Sequence, residues 1–119
     1  MAKMESKNME KPDELRTFSK GKVELITLGG ITFGRATLEP GWKWSESVKP
    51  IAKTESCQAP HTQYHVSGRL AVKMDDGSEQ IFGPGDVSHI PPGHDAWVVG
   101  NEPAVIIDIT GMSQYAKGA

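Results

Sequence analysis

The chain has 119 residues, a formal net charge of -2, a pI near 6.1 and a single cysteine, and 37% of its residues are apolar. This is enough for one domain with its own core and no disulfide to hold it, and it offers no basic field to attract a phosphate backbone, which excludes nucleic acid as a partner. No apolar run approaches the roughly 20 residues that cross a bilayer, and the N-terminal "MAKMESKNMEKPDELR" lacks the apolar stretch of a signal peptide, so no membrane partner and a cytoplasmic location are expected. In a reducing compartment Cys57 is then a core residue, a thiolate ligand or a reactive thiol.

Residues 1–16 are charged and without apolar periodicity, and are expected as a flexible N-terminal arm ahead of a single domain over 17–119. "KVELITL" and "ITFGRATLE" alternate as strands about a turn at Gly29-Gly30. "EPGWKWSESVKPIAKTES" breaks the alternation at Pro40-Gly41 and Pro50, and its length predicts a functional or lid-like loop. "RLAVKMD" alternates with Leu70, Val72 and Met74 inward, and Asp76-Gly77 supplies a hairpin turn. "SEQIF", "VSHI", "HDAWVVG" and "AVIIDIT" follow, separated by "GPGD" and "PPG" turns. Thirteen Gly and eight Pro, evenly spaced short strands and no helix-period window after residue 20 predict an all-β sandwich or barrel with fewer than about one residue in ten helical.

"FGPGDVSHIPPGHDAW" resembles the second motif of the cupin superfamily, with Gly85, Asp86, Pro91 and Gly93 in the motif positions. "HVSGRLAVKMDDG", through Gly68, resembles the end of the first motif. With "LEPG" at 38–41 the resemblance covers about residues 21–111. It implies a jelly-roll β-barrel, and Gly68, Gly85 and Gly93 are expected where φ is positive or the backbone is crowded. Cupins usually hold a divalent metal through a His-x-His pair, a following Glu and a histidine of the second motif. Here the register puts Glu55 in the first histidine slot, Cys57 in the second and His61 in the Glu slot. The second-motif slot falls on Ala96, with His94 two residues earlier on the same strand face.

The resemblance therefore implies a metal site of Cys57, His61 and His94, ligand types suited to zinc or iron, with Glu55 in reserve. Extended chain would part residues 57 and 61 by roughly 13 Å, so a turn at Ala59-Pro60 is required. The competing reading makes Cys57 an apolar filler and His61 a solvated turn residue. Tyr64, His65, Asp108, Trp42 and Trp44 are pocket or supporting candidates. Asp108 either orients His94 or lies at an exposed edge, and the two tryptophans either plug the barrel mouth or stack on a ligand. His65 is expected as an internal polar neighbour, His89 as a supporting or surface residue, and Trp97 packed between the barrel wall and a flanking strand. Two functions fit: a metal-dependent enzyme acting on a small organic molecule, with Tyr64, His65 or Asp108 moving protons, or a non-catalytic sensor binding a small molecule or metal. The resemblance also implies a homodimer.

Overall fold

The structure, a computed structural model, describes residues 3–110, 112 and 115. In chain order its elements are β1 (Glu14–Phe18), β2 (Gly21–Leu28), β3 (Ile31–Leu38), α1 (Trp44–Ser47), α2 (Lys49–Ala52), β4 (His61–Ser67), β5 (Arg69–Met74), β6 (Glu79–Phe82), β7 (Val87–Ile90), β8 (His94–Val99) and β9 (Ala104–Asp108). A six-stranded sheet runs β1-β2-β3-β9-β4-β7 and a three-stranded sheet runs β6-β5-β8, every ladder antiparallel. The fold is a jelly-roll β-barrel. Alternation decides what faces inward: Val23, Leu25, Ala36 and Ile106 from the larger sheet meet Leu70, Val72, Ala96 and Val98 from the smaller in one core. Each such side chain stabilises the fold by roughly 1.5–3 kcal/mol when fully buried, less for Ala.

Gly68, Gly85 and Gly93 have φ of 72°, 90° and 93°. At Gly68 the requirement is double, because a Cβ would also lie 2.2 Å from the carbonyl oxygen of Pro103. The glycine sits beside a register shift between His65 and Ser67 on the β4·β9 ladder, and there the chain passes from one sheet to the other.

Two segments differ from the sequence reading. Residues 44–52, expected as a loop, contain α1 and α2. They stand where a further strand would pair with β8, and only isolated bridges remain at the two ends of that segment, Lys43 with Trp97 and Cys57 with His94. The helices escaped notice because each is a single turn, too short to display a 3.6-residue period. The start of α1 is held from outside, by the Asp95 Oδ1 that accepts from Ser45 N at 3.0 Å. At the N-terminus, β1 begins at Glu14, inside the segment expected as an arm. Before it, Lys7 bonds Asp13 and the Thr27 carbonyl, each at 2.9 Å, and Glu10 pairs with Arg35 at 2.8 Å.

Candidate metal centre

Cys57 lies at the end of the helical insertion, and its backbone is bonded to the start of β8: Cys57 N donates to His94 O and Gly93 N to Cys57 O, both at 2.7 Å. The bridge fixes Cys57 against His94. His61 opens β4 on the opposite sheet and points inward with Gln63 and His65, as period two requires. The thiol sulfur of Cys57 and one ring nitrogen of each of His61 and His94 lie within 4.8 Å of one another, and all three residues are buried. The sulfur is 3.7 Å from His61 Nε2.

Each imidazole is oriented through its other nitrogen. His61 Nδ1 is 2.5 Å from Asp108 Oδ2, and His94 Nδ1 is 2.9 Å from the Pro91 carbonyl oxygen. A ring Nδ1–H donating to these acceptors turns the other nitrogen, Nε2, toward the cluster. Asp108 is fully buried, so the exposed-edge reading fails, and it orients His61 rather than His94. Gln63 Nε2 donates to the same Asp108 oxygen at 3.1 Å, and Thr110 N to the other at 2.8 Å.

Burial alone would push the Cys57 thiol up, but hydrogen bonds and charge from His61 and His94 outweigh it and lower its pKa from 9.0 to about 6. Burial would likewise push His61 down. The hydrogen bonds to Asp108 and Cys57, with their charges, instead raise it from 6.5 to about 9. Near neutral pH the pair is a thiolate beside an imidazolium.

These residues border a cavity of about 30 Å³ lined by both sheets and by Trp42, Trp44, Met112 and Tyr115. Trp42 and Trp44 are 2% exposed, and their indole N–H groups have no partner among the described residues. Both tryptophans are therefore packed inside the barrel against the cavity, Trp44 from within α1. Tyr115 meets the His61 ring edge-on at 5.5 Å, and burial pushes its hydroxyl well above 10. Met112 lies against Gly34, where a Cβ would come within 2.6 Å of its side chain. Neither Met112, Tyr115 nor Gln63 was singled out from the sequence. Gln63 alone carried a signal, since it shares strand parity with His61.

The remaining candidates lie elsewhere. Glu55 has a side chain 97% exposed and pairs with Lys49, so it is not part of the cluster. Tyr64 is 50% exposed on the outer face of β4, which removes it from the pocket. His65 is buried, bonded through Nε2 to Ser88 Oγ at 2.8 Å and stacked on Phe82 at 5.1 Å. His89 is exposed and bonded to Thr62, and Trp97 lies under Lys43 Nζ at 5.6 Å.

The cluster fits a divalent ion. Zn–S and Zn–N bonds of about 2.3 and 2.0–2.1 Å place tetrahedral sulfur and nitrogen ligands about 3.6 Å apart, against 3.7 Å between Cys57 and His61. A carboxylate behind one ligand imidazole and a carbonyl behind the other is the usual support for such ligands.

No protein-family model and no curated protein matches the chain. Solved structures do. A protein of unknown function from Rhizobium leguminosarum bv. viciae is 22% identical with a TM-score of 0.64, over 92% of this chain and 97% of its own. An RmlC-like cupin from Shewanella frigidimarina is 16% identical with a TM-score of 0.63, over 92% of each chain. Oxalate decarboxylase from Bacillus subtilis, with Mn(II) centres, is 25% identical with a TM-score of 0.52, over 78% of this chain but 26% of its own.

Proposed function

Starting from a chain that has the cupin fold, we propose that it holds a divalent ion, zinc or iron, through Cys57, His61 and His94 and acts on a small organic molecule. The observation that carries this reading is the burial together of one thiol and two imidazoles within 4.8 Å, each ring backed by its own acceptor. A thiolate with two imidazoles suits zinc or iron better than magnesium or calcium, and three protein ligands leave a position open. Bound there, such an ion supplies Lewis acidity toward a carbonyl or hydroxyl oxygen. Asp108 fixes the His61 ring and takes up its charge, Gln63 steadies Asp108, and Trp42 and Trp44 keep bulk water out. Elemental analysis of protein purified without added metal tests the proposal, together with cobalt(II) substitution. A thiolate-to-cobalt charge-transfer band that disappears in Cys57→Ser supports it; no bound metal and no such band removes it.

A second reading, a non-catalytic metal or small-molecule sensor, is favoured by the size of the inner cavity. Its 30 Å³ holds about two water molecules, at roughly 10–15 Å³ each, and no organic substrate. Metal loading that changes the assembly state, without turnover on any substrate tried, would favour the sensor. The homodimer is part of the same proposal. Tyr64, Val66 and Val87 are exposed on the outer face of the six-stranded sheet, the kind of apolar surface a second copy would cover. A monomer by light scattering at tens of micromolar, where stable interfaces persist, would count against it.

A further inference from the structure

The inner cavity is too small for an organic substrate, but a second cavity of about 310 Å³ lies directly against its wall. Val72 and Ile90 border both. The larger space opens where the two sheets end, with β6 the last strand of one and β7 the last strand of the other. The strands are joined through Gly83–Asp86, where His65 stacks on Phe82 and bonds Ser88, and among the described residues no ladder links them. The groove runs from Phe82 toward Ser78 and Pro91.

Its floor is tied to the cluster by strand register. Ile90 is the cross-strand partner of His61, and Met74 is the partner of His94. Directly opposed side chains have Cβ atoms about 4.5–5.5 Å apart, so a molecule resting on Ile90 and Met74 lies one side chain from both imidazoles. The volume falls at the lower end of that usual for small-molecule sites. Val72, Met74, Phe82 and Ile90 give an apolar floor and flank, while Ser78 and Gln80 bring polar groups to the rim, and His89 borders it with its ring bonded to Thr62 on the outer face. No Arg or Lys lines it, and its one carboxylate, Glu79, faces Lys73 across the β5·β6 ladder. No Lys or Arg charge there would neutralise an anion.

We propose that this groove is the binding place of an uncharged, hydroxyl-bearing cyclic molecule, its ring on Met74, Phe82 and Ile90 and its hydroxyls toward Ser78 and Gln80. The role of that molecule as substrate rests on the metal reading above, whereas the existence of the site does not. Ile90 and Val72 then form the partition that must shift for the bound molecule to meet the centre.

The test uses the full chain, isotopically labelled, with phenol as the probe and benzoate as its anionic counterpart, in chelator and again after zinc loading. Phenol at millimolar concentration, the range typical of a fragment this small, should shift the backbone signals of Gln80, His89 and Ile90 saturably in both forms. Benzoate should bind at least about tenfold more weakly. Gln80→Trp, which fills the groove from an exposed position, should weaken phenol about tenfold or more. Ile81→Trp, outward on the same strand and already 55% exposed, should leave it unchanged. Absence of saturable shifts in the groove, equal binding of both probes, or equal effects of the two tryptophan variants would overturn the proposal. So would groove signals that move on dilution alone, which would mark a strand of a second copy as the occupant. A chain that takes up no zinc yet binds phenol in the groove defeats the metal reading and leaves the site standing.

Discussion

Replacing Asp108 by Asn removes a charge and keeps the shape, so it isolates what the buried carboxylate does for His61. One carboxylate oxygen accepts from His61 Nδ1 and Gln63 Nε2, the other from Thr110 N. Asparagine has one carbonyl oxygen. If that oxygen faces His61 and Gln63, Thr110 N–H meets an amide N–H; if it turns, the two side chains do. A hydrogen bond to a charged group is worth about 1.5–3 kcal/mol, and the position is fully buried. For a domain of this size the metal-free protein should lose about 6–12 °C in Tm. Removing the acceptor behind a ligand imidazole typically costs 10–100-fold in metal affinity, or about 1.4–2.7 kcal/mol. Competition titration with a zinc chelator at several pH values through about 9, where His61 gives up its proton, separates the proton competition that Asp108 imposes on His61 from its effect on ligand orientation. A lowered Tm with zinc affinity unchanged would show that Asp108 braces the barrel only and that His61 owes it no ligand orientation.

Cys57→Ser should reduce zinc affinity at least about 100-fold, since a neutral hydroxyl replaces a thiolate. His65→Gln should leave affinity unchanged and lower stability by about 1–3 kcal/mol through the lost stack on Phe82; equal metal loss in both variants would refute the assignment. Between about pH 6.5 and 9 the folded Cys57–His61 pair carries one proton on the imidazole, and the unfolded chain carries one on the thiol. The depressed Cys57 pKa adds stability as pH rises through this window and the raised His61 pKa removes it, so with equal proton counts the slope is zero. An uncharged thiol–imidazole pair would hold one proton as well and give the same flat Tm, so the ion pair is read instead from the thiolate absorbance of chelator-treated protein near neutral pH, which should vanish in Cys57→Ser; no such absorbance in the parent protein would mean that the thiolate–imidazolium pair does not form. Gly68→Ala combines positive φ with a Cβ 2.2 Å from the Pro103 oxygen, and should cost at least about 2 kcal/mol in denaturant unfolding.

The barrel was legible because its strands alternate and its turns carry Gly, Pro and Asp at fixed offsets. Gly68, Gly85 and Gly93 mark backbone that other residues adopt only with strain. The grouping of Cys57, His61 and His94 was legible from motif register, and His94 from parity alone, since it keeps the face of Ala96 while moving two residues along the strand. The sequence left Asp108 open between orienting His94 and an exposed edge, and could not show it facing His61, because that depends on β4 lying beside β9, a neighbour relation that no local pattern encodes. Tyr115 and Met112 come from a segment with no periodicity. Tyr64 was misplaced in the pocket although its parity already pointed outward.

The interrupted strand has a practical corollary. The bridge between Cys57 and His94 sets their separation, whatever path the chain takes to arrive there. Residues 49–55 lie mostly at the surface, and doubling the length of a flexible connection costs only about 0.6 kcal/mol. The outer turn of this insertion, around Lys53 with its left-handed φ of 60°, is thus a grafting point. A peptide tag or reporter inserted there would ride within a few residues of the thiol, yet leave the bridge that positions it untouched.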